Sequence, residues 1–240
     1  MLSTLGGFRD SFVFATRIRL RFTIHDSLVT CYLLLVTPPK PTQLSPHPFI
    51  YLASKSPRRR HLLEQIGVRY QTLDVEIDES RRKREAPYDY VCRLAQEKAG
   101  RGWAVLDAAV RAPVLGADTV VVVDDEILGK PADVAAAETM LARLSGHTHE
   151  VLTAVTLANE KQRTRLSRSL VTLRSSTPSE RAAYCTTGEP LDKAGAYAIQ
   201  GLGAVFVEKL DGSFSGVMGL PLFETAELLS GVGIHVFDTR

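Results

Sequence analysis

Seven consecutive residues, Ser54-Lys55-Ser56-Pro57-Arg58-Arg59-Arg60, have the makings of an anion site. Two hydroxyls, a proline and three successive guanidinium groups follow a short apolar segment, Phe49 to Ala53, and open an amphipathic pattern. A helix N-terminus offers unpaired backbone N–H groups at the positive end of the helix dipole, and arginine adds bidentate donors, so the turn suits a phosphate chain. Cations at that end oppose the dipole by roughly 0.3 kcal/mol or more each. A bound anion would offset this cost; a solvated basic helix end is the other reading.

Asp118, in Gly116-Ala117-Asp118-Thr119, interrupts the apolar run from Val114 to Val123. Burying a lone carboxylate there is expensive, so Asp118 should be paired, protonated, metal-bound or facing a cleft; a salt bridge at a strand end is the plainer alternative. Gly116 would let a backbone or a ligand approach closely. Asp78 and Glu79 supply further carboxylates, the hard oxygen donors that Mg²⁺ and Mn²⁺ prefer, although loop acids are commonly solvated. Lys98 and Lys130 are lone lysines, which usually face water. In the segment from Glu189 to Gly203, glycines at 195, 201 and 203 permit tight turns, and Gln200 offers a donor and an acceptor to a base edge. A structural connection with a surface glutamine is the alternative.

Positioning these residues calls for alternating strands and helices. Strands are expected at Phe49 to Ala53, Val68 to Val75, Pro113 to Val123, Val151 to Ala158, Leu166 to Leu173 and Ala204 to Leu210, with a hairpin return at Ile127 and Leu128. The strand from Leu166 is polar along much of its length and is expected at a sheet edge. Helices are expected at Arg58 to Ile66, Tyr88 to Arg101, from the Asp133 cap through Leu144, at Ser179 to Thr187 and at Leu222 to Leu229. Interspersed hairpins and strand-helix units imply an α/β fold with a mixed sheet. No GxGxxG follows a strand, which argues against a dinucleotide-binding unit.

At 240 residues, 45% hydrophobic and 23% charged, the composition is that of an ordinary globular protein. Residues 1–50 hold five Lys/Arg against two Asp/Glu, leaving 24 basic and 25 acidic residues in the body. A generic nucleic-acid surface is thereby excluded, and any anion site must be local. Cys31, Cys92 and Cys185 have neither disulfide-scaffold nor zinc spacing and fit a reducing cytoplasm. Residues 1–48 are Arg-rich and acid-poor, with an apolar run too short to span a bilayer. They are read as an extension, poorly ordered or from a start codon set too far upstream, with a transit function conceivable.

Taken together, Leu52-Ala53-Ser54-Lys55-Ser56-Pro57-Arg58-Arg59, Ile77-Asp78-Glu79-Ser80, Gly116-Ala117-Asp118-Thr119-Val120, Gly129-Lys130-Pro131, Leu144-Ser145-Gly146-His147-Thr148-His149 and Leu191-Asp192-Lys193-Ala194-Gly195-Ala196-Tyr197 through Gly203 resemble the Maf family of nucleoside triphosphate pyrophosphatases. The resemblance runs from about residue 49 to about 230. It implies a two-lobed α/β mixed-sheet fold of the Maf/ITPase-like type with a cleft between the lobes, in a domain at 49–232 followed by a tail at 233–240. It implies a homodimer that hydrolyses a nucleoside triphosphate to monophosphate and pyrophosphate with a divalent metal, expected to be Mg²⁺ or Mn²⁺. A cytoplasmic location and the absence of nucleic-acid and membrane partners are expected from the cysteines, the charge balance and the short apolar run.

Position by position, Asp118 matches the family's proton acceptor; Glu79 with Asp118 is expected to hold the metal, on the carboxylate chemistry above. Ser54, Arg58, Arg59, Glu79, Lys98 and Lys130 match its polar triphosphate-handling positions, and Lys193, within the segment from Leu191, is expected to join them in binding substrate. Arg59, Thr119 and Gln200 match positions tied to substrate choice and resemble the dTTP/UTP branch. A carboxylate of ordinary pKa is a weak base at neutral pH, so the role of Asp118 as base rests on the resemblance. Two other readings stay open: hydrolysis of 7-methyl-GTP or other noncanonical nucleotides, and a nucleotide-binding regulator of septum formation.

Overall fold

The computed structural model describes residues 49–237. The calls on residues 1–48 and on Cys31 lie outside the described residues. Four buried residues make β1 (Ile50–Ala53), and the Ser54–Ser56 turn leads into α1 (Pro57–Gln65), whose Leu62 and Leu63 face the core. There follow β2 (Tyr70–Thr72), α2 (Pro87–Val105), β3 (Val114–Val123), β4 (Glu126–Leu128), α3 (Val134–Leu144), β5 (Thr148–Ala158) and β6 (Gln162–Leu173). The last elements are α4 (Pro178–Cys185), β7 (Val207–Asp211), α5 (Phe214–Met218) and α6 (Leu222–Ser230). Asp133 caps α3 through Ala136 N at 2.8 Å, and Thr177 with Glu180 forms a capping box on α4.

The strands form the expected mixed sheet, in the order β2-β1-β3-β5-β6-β7, with β4 also on β3. Strands β2, β1 and β3 run parallel, and the other pairings are antiparallel. One side of β3 is covered along its length by β5. On the other side β1 pairs only as far as Ala53↔Gly116, and the pairing of β3 with β4 begins only at Val121↔Leu128, the end of β4. Residues 117–120 therefore sit at a gap in the sheet.

Two apolar cores lie at opposite ends of β3. One joins Leu52, Leu63, Leu115, Leu157 and Leu229; the other joins Val121, Leu141, Leu144, Tyr184 and Phe206. On the other face, α2 packs Val91 and Ala95 against Val120 and Val122. Gly116 is the point of close approach: a Cβ there would stand 2.6 Å from Ala95 O and from Ala99 N. The close neighbour that Gly116 admits is therefore the α2 backbone, and this contact brings Lys98 over β3.

Several expectations are corrected. The polar strand is longer than expected, and only its Gln162–Ser169 part is an edge. Its last residues are interior because β7 pairs with Leu170–Leu173. The strand expected at Val68 to Val75 shrinks to three residues, and residues 202–206 form a 3-10 turn before β7. The helix α5 was not anticipated. Beyond Val232, Ile234 is buried in the first core and Val236 packs against it, so the start of the expected tail belongs to the fold. Among the described residues no helix is long and apolar enough to cross a membrane.

Candidate active site

The N-terminus of α1 opens onto the gap in the sheet. Ser56 makes no side-chain cap, Pro57 occupies the first turn, and no acid lies there, so the positive end of the helix keeps its anion-binding capacity. Arg59 turns inward. Its Nε donates to Gly219 O at 2.7 Å, Nη1 to Ser54 Oγ at 3.1 Å and Nη2 to Thr119 Oγ1 at 3.3 Å. Burial lowers its pKa, opposed by the charge of Asp118, yet guanidinium remains charged at any working pH. Arg58 instead reaches across the cleft to Asp192, with Nη1 3.4 Å from Oδ2.

Opposite this turn, α2, β3 and the loop after β2 bring three charges together. Lys98 Nζ lies 2.8 Å from Asp118 Oδ1 and 2.7 Å from Glu79 Oε1, with the Lys98 and Asp118 side chains each only 13% exposed. The burial cost of Asp118 is thus met by pairing, and the paired acid also faces a cleft. The Lys98 hydrogen bond holds the Glu79 carboxyl below its usual range, against the effect of burial. The loop carrying Glu79 is itself fastened: Tyr90 donates to Glu79 O at 2.8 Å, and Arg93 grips both Glu85 oxygens and donates to Ser80 O.

Asp118 and Glu79 share one ammonium, so their oxygens stand within two hydrogen bonds of each other. These are hard donors suited to Mg²⁺ or Mn²⁺. No group of three His, Cys, Asp or Glu able to hold a metal occurs among the described residues. The pair therefore fits an ion that completes its shell with waters and substrate phosphate oxygens, which is the habit of Mg²⁺.

The remaining wall comes from residues 189–203. Gln200 borders the same cavity, of about 370 Å³, as Arg59, Asp118, Thr119, Lys130 and Lys193. This segment is anchored from behind by Glu189, whose carboxylate accepts from Leu202 N, Gly203 N and Tyr184 Oη. Tyr197 is anchored by a buried hydrogen bond to His149 Nε2 at 2.8 Å. Ser54, Arg58, Arg59, Glu79, Lys98, Lys130 and Asp192 also border an adjoining cavity of about 580 Å³. Every predicted site residue lies on one cavity or on both.

Sequence reasoning passed over Asp192, Glu189, the His149–Tyr197 pair and Gly219. Only Gly219 had a readable local signal. Ser213 caps α5 through Gly216 N, and Gly219, at φ 118°, ends the helix and presents its carbonyl to Arg59.

Neighbouring carboxylates, clustered cations and an open helix N-terminus in one cleft define the class: an α/β protein equipped to take a polyphosphate. Residues 49–232 match the family model described as Maf, Maf-like protein, and the chain belongs to the Maf family. A protein named dTTP/UTP pyrophosphatase from Alkalilimnicola ehrlichii is 55% identical over 185 residues, covering 76% of this chain and 92% of its own. One of the same name from Nitrosomonas europaea is 51% identical over 199 residues, covering 78% and 96%. A solved nucleoside-triphosphatase / dITP/XTP pyrophosphatase from Mycobacterium abscessus is a distant likeness, at TM-score 0.33 and 17% identity over 52% of this chain and 73% of its own.

Proposed function

We propose that this protein hydrolyses dTTP and UTP to the monophosphate and pyrophosphate. The observation that carries the reading is the gap in the sheet at residues 117–120. It puts Asp118 with Lys98 and Glu79 on one face of β3, Thr119 with Arg59 on the other, and Gln200 on the same cavity. A triphosphate running from Gln200 toward the Ser54–Ser56 turn would bring its α-phosphorus beside Asp118.

In the proposed reaction a water oxygen attacks the α-phosphorus, the bond to the bridging oxygen breaks, and pyrophosphate leaves with the electron pair. Asp118 orients the water and takes its proton, while Lys98 fixes the carboxylate that does so. The guanidinium of Arg58, the ammonium groups of Lys130 and Lys193 and the N–H groups of α1 meet the growing negative charge. Ser54 acts through Arg59. A divalent cation, held by Glu79 and Asp118, would neutralise charge on the phosphate oxygens. Thr119, Arg59 and Gln200 bound the base, consistent with relatives that carry the dTTP/UTP name.

A reducing cytoplasm suits the free thiols of Cys92 and Cys185, and a homodimer is the proposed assembly, with the exposed Leu202 and Val205 as apolar surface available to it. Incubating the purified protein with a panel of nucleoside triphosphates and Mg²⁺ or Mn²⁺ tests the reading. Monophosphate and pyrophosphate should form fastest from dTTP and UTP. Preference for 7-methyl-GTP would move the chain to the other branch, and no product from any nucleotide would leave the regulator.

A further inference from the structure

Asp192 is an acid placed among groups that grip an anion. It ends the 3-10 turn Glu189–Asp192, on the opposite wall of the cleft from α1, and borders both cavities. Its Oδ2 lies 3.4 Å from Arg58 Nη1, and its Oδ1 is hydrogen-bonded to Lys193 Nζ. Burial acts to raise its pKa, but Lys193 and then Arg58 outweigh that and hold the carboxyl below its usual range. An ionised carboxylate here competes with any phosphate that approaches these two cations.

Three features argue against a structural clasp. The Asp192 side chain is 65% exposed, so its ion pairs contribute little to folding. Lys193 has a second anchor, its Nζ donating to Glu189 O at 3.3 Å, so the ammonium keeps its place when the carboxylate turns away. The Arg58–Asp192 contact also stands where the two cavities adjoin, since both residues border each of them, so a phosphate chain that occupies both meets this pair.

We propose that Asp192 is a displaceable counterion for the phosphate site. It occupies Arg58 and Lys193 in the empty cleft, yields both to the triphosphate, and reclaims them as pyrophosphate departs. Its task is to weaken the hold on pyrophosphate, and so to set the rate of product release. This inference rests on the hydrolytic reading above.

The test compares wild type with Asp192→Asn and Asp192→Glu, by calorimetric titration with pyrophosphate in Mg²⁺ and by steady-state and single-turnover hydrolysis of dTTP. The asparagine variant, relieved of like-charge competition, should bind pyrophosphate about ten-fold tighter and show a lower KM. Its steady-state kcat should fall further than its single-turnover rate, and glutamate should restore wild-type behaviour. Unchanged or weaker pyrophosphate binding by the asparagine variant, with a thermal transition like the wild type's, overturns the proposal. Asp192→Glu reports separately if the asparagine variant is poorly folded: a return to wild-type pyrophosphate affinity is expected, and tighter binding by this still-charged variant also overturns it. The titration does not depend on turnover. Tighter pyrophosphate binding without hydrolysis would keep the counterion and discard the reaction, whereas hydrolysis with unmoved affinity would do the reverse.

Discussion

The two walls of the cleft are built on different physics. On the wall proposed for the phosphates, Lys98 holds Glu79 and Asp118, and Arg58 reaches across the cleft to Asp192: ion pairs that join separate segments and are open in part to water. On the base wall, Glu189 accepts backbone N–H groups of its own segment, and Tyr197 meets His149 in a buried contact with no charge on either ring. A partly exposed pair such as Arg58–Asp192 can exchange partners at little cost, while a buried polar contact such as Tyr197–His149 loses heavily when a member is left unpaired. One wall is therefore suited to hand cations to a substrate, the other to remain a template.

The strongest way to break this division is Asp118→Asn. Turnover should fall by about 10²–10⁴-fold with the melting temperature nearly unchanged, as read from pyrophosphate release and thermal denaturation. A collapse of stability with turnover retained would make Asp118 a structural acid.

On the opposite wall, His149 should show itself in stability and not in chemistry. Burial pushes its pKa down from 6.5 to about 4. The unfolded chain takes up the proton below pH 6.5 while the folded chain resists until about 4, so stability falls as pH drops through that window and levels off below it. The difference amounts to about 3 kcal/mol. His149→Gln, which keeps a partner for Tyr197 but cannot titrate there, should flatten that part of the pH profile in urea denaturation; an equal slope in both proteins would remove the buried neutral histidine from the account.

Lys98→Met should cost about 1–3 kcal/mol by leaving Asp118 poorly exposed and unpaired, and should weaken the response of activity to Mg²⁺ concentration. Denaturant titration and a metal titration of rate check both effects. The smallest effect sharpens the template: Gln200→Ala should raise KM for dTTP and UTP about ten-fold while sparing purine nucleotides. An equal loss on every triphosphate would mean that the base wall does not read the base.

Much of the phosphate wall was legible in the chain. Ser54 through Arg59 could be read because a helix start is written in adjacent residues, and Asp118 because a charge within an apolar run contradicts its neighbours. Gly116 announced a close approach without naming the α2 backbone as the approaching group. The base wall was harder to read. Its glycines and Gln200 were visible, but Glu189 acts on residues 202 and 203, and His149 on Tyr197, 48 positions away. Neither pair has a local pattern. The edge placement expected for the polar strand also failed in part, because β7 covers its last residues, and pairing partners are chosen by the whole sheet.

Local physics assigned an anion turn, a costly buried acid and the order of the elements other than α5, and the motifs together carried the resemblance to a family. Tertiary structure settled what each charge faces. Strand β1 ends opposite Gly116 and β4 ends opposite Val121, so the sheet opens beside Asp118 and Thr119, and neighbours with opposite side-chain directions serve one cavity. Register and ion pairing between distant segments depend on how the entire chain fills its cores. That is why the pairing of Lys98 with Asp118, and the intrusion of Asp192 on Arg58, appear only once the fold is assembled.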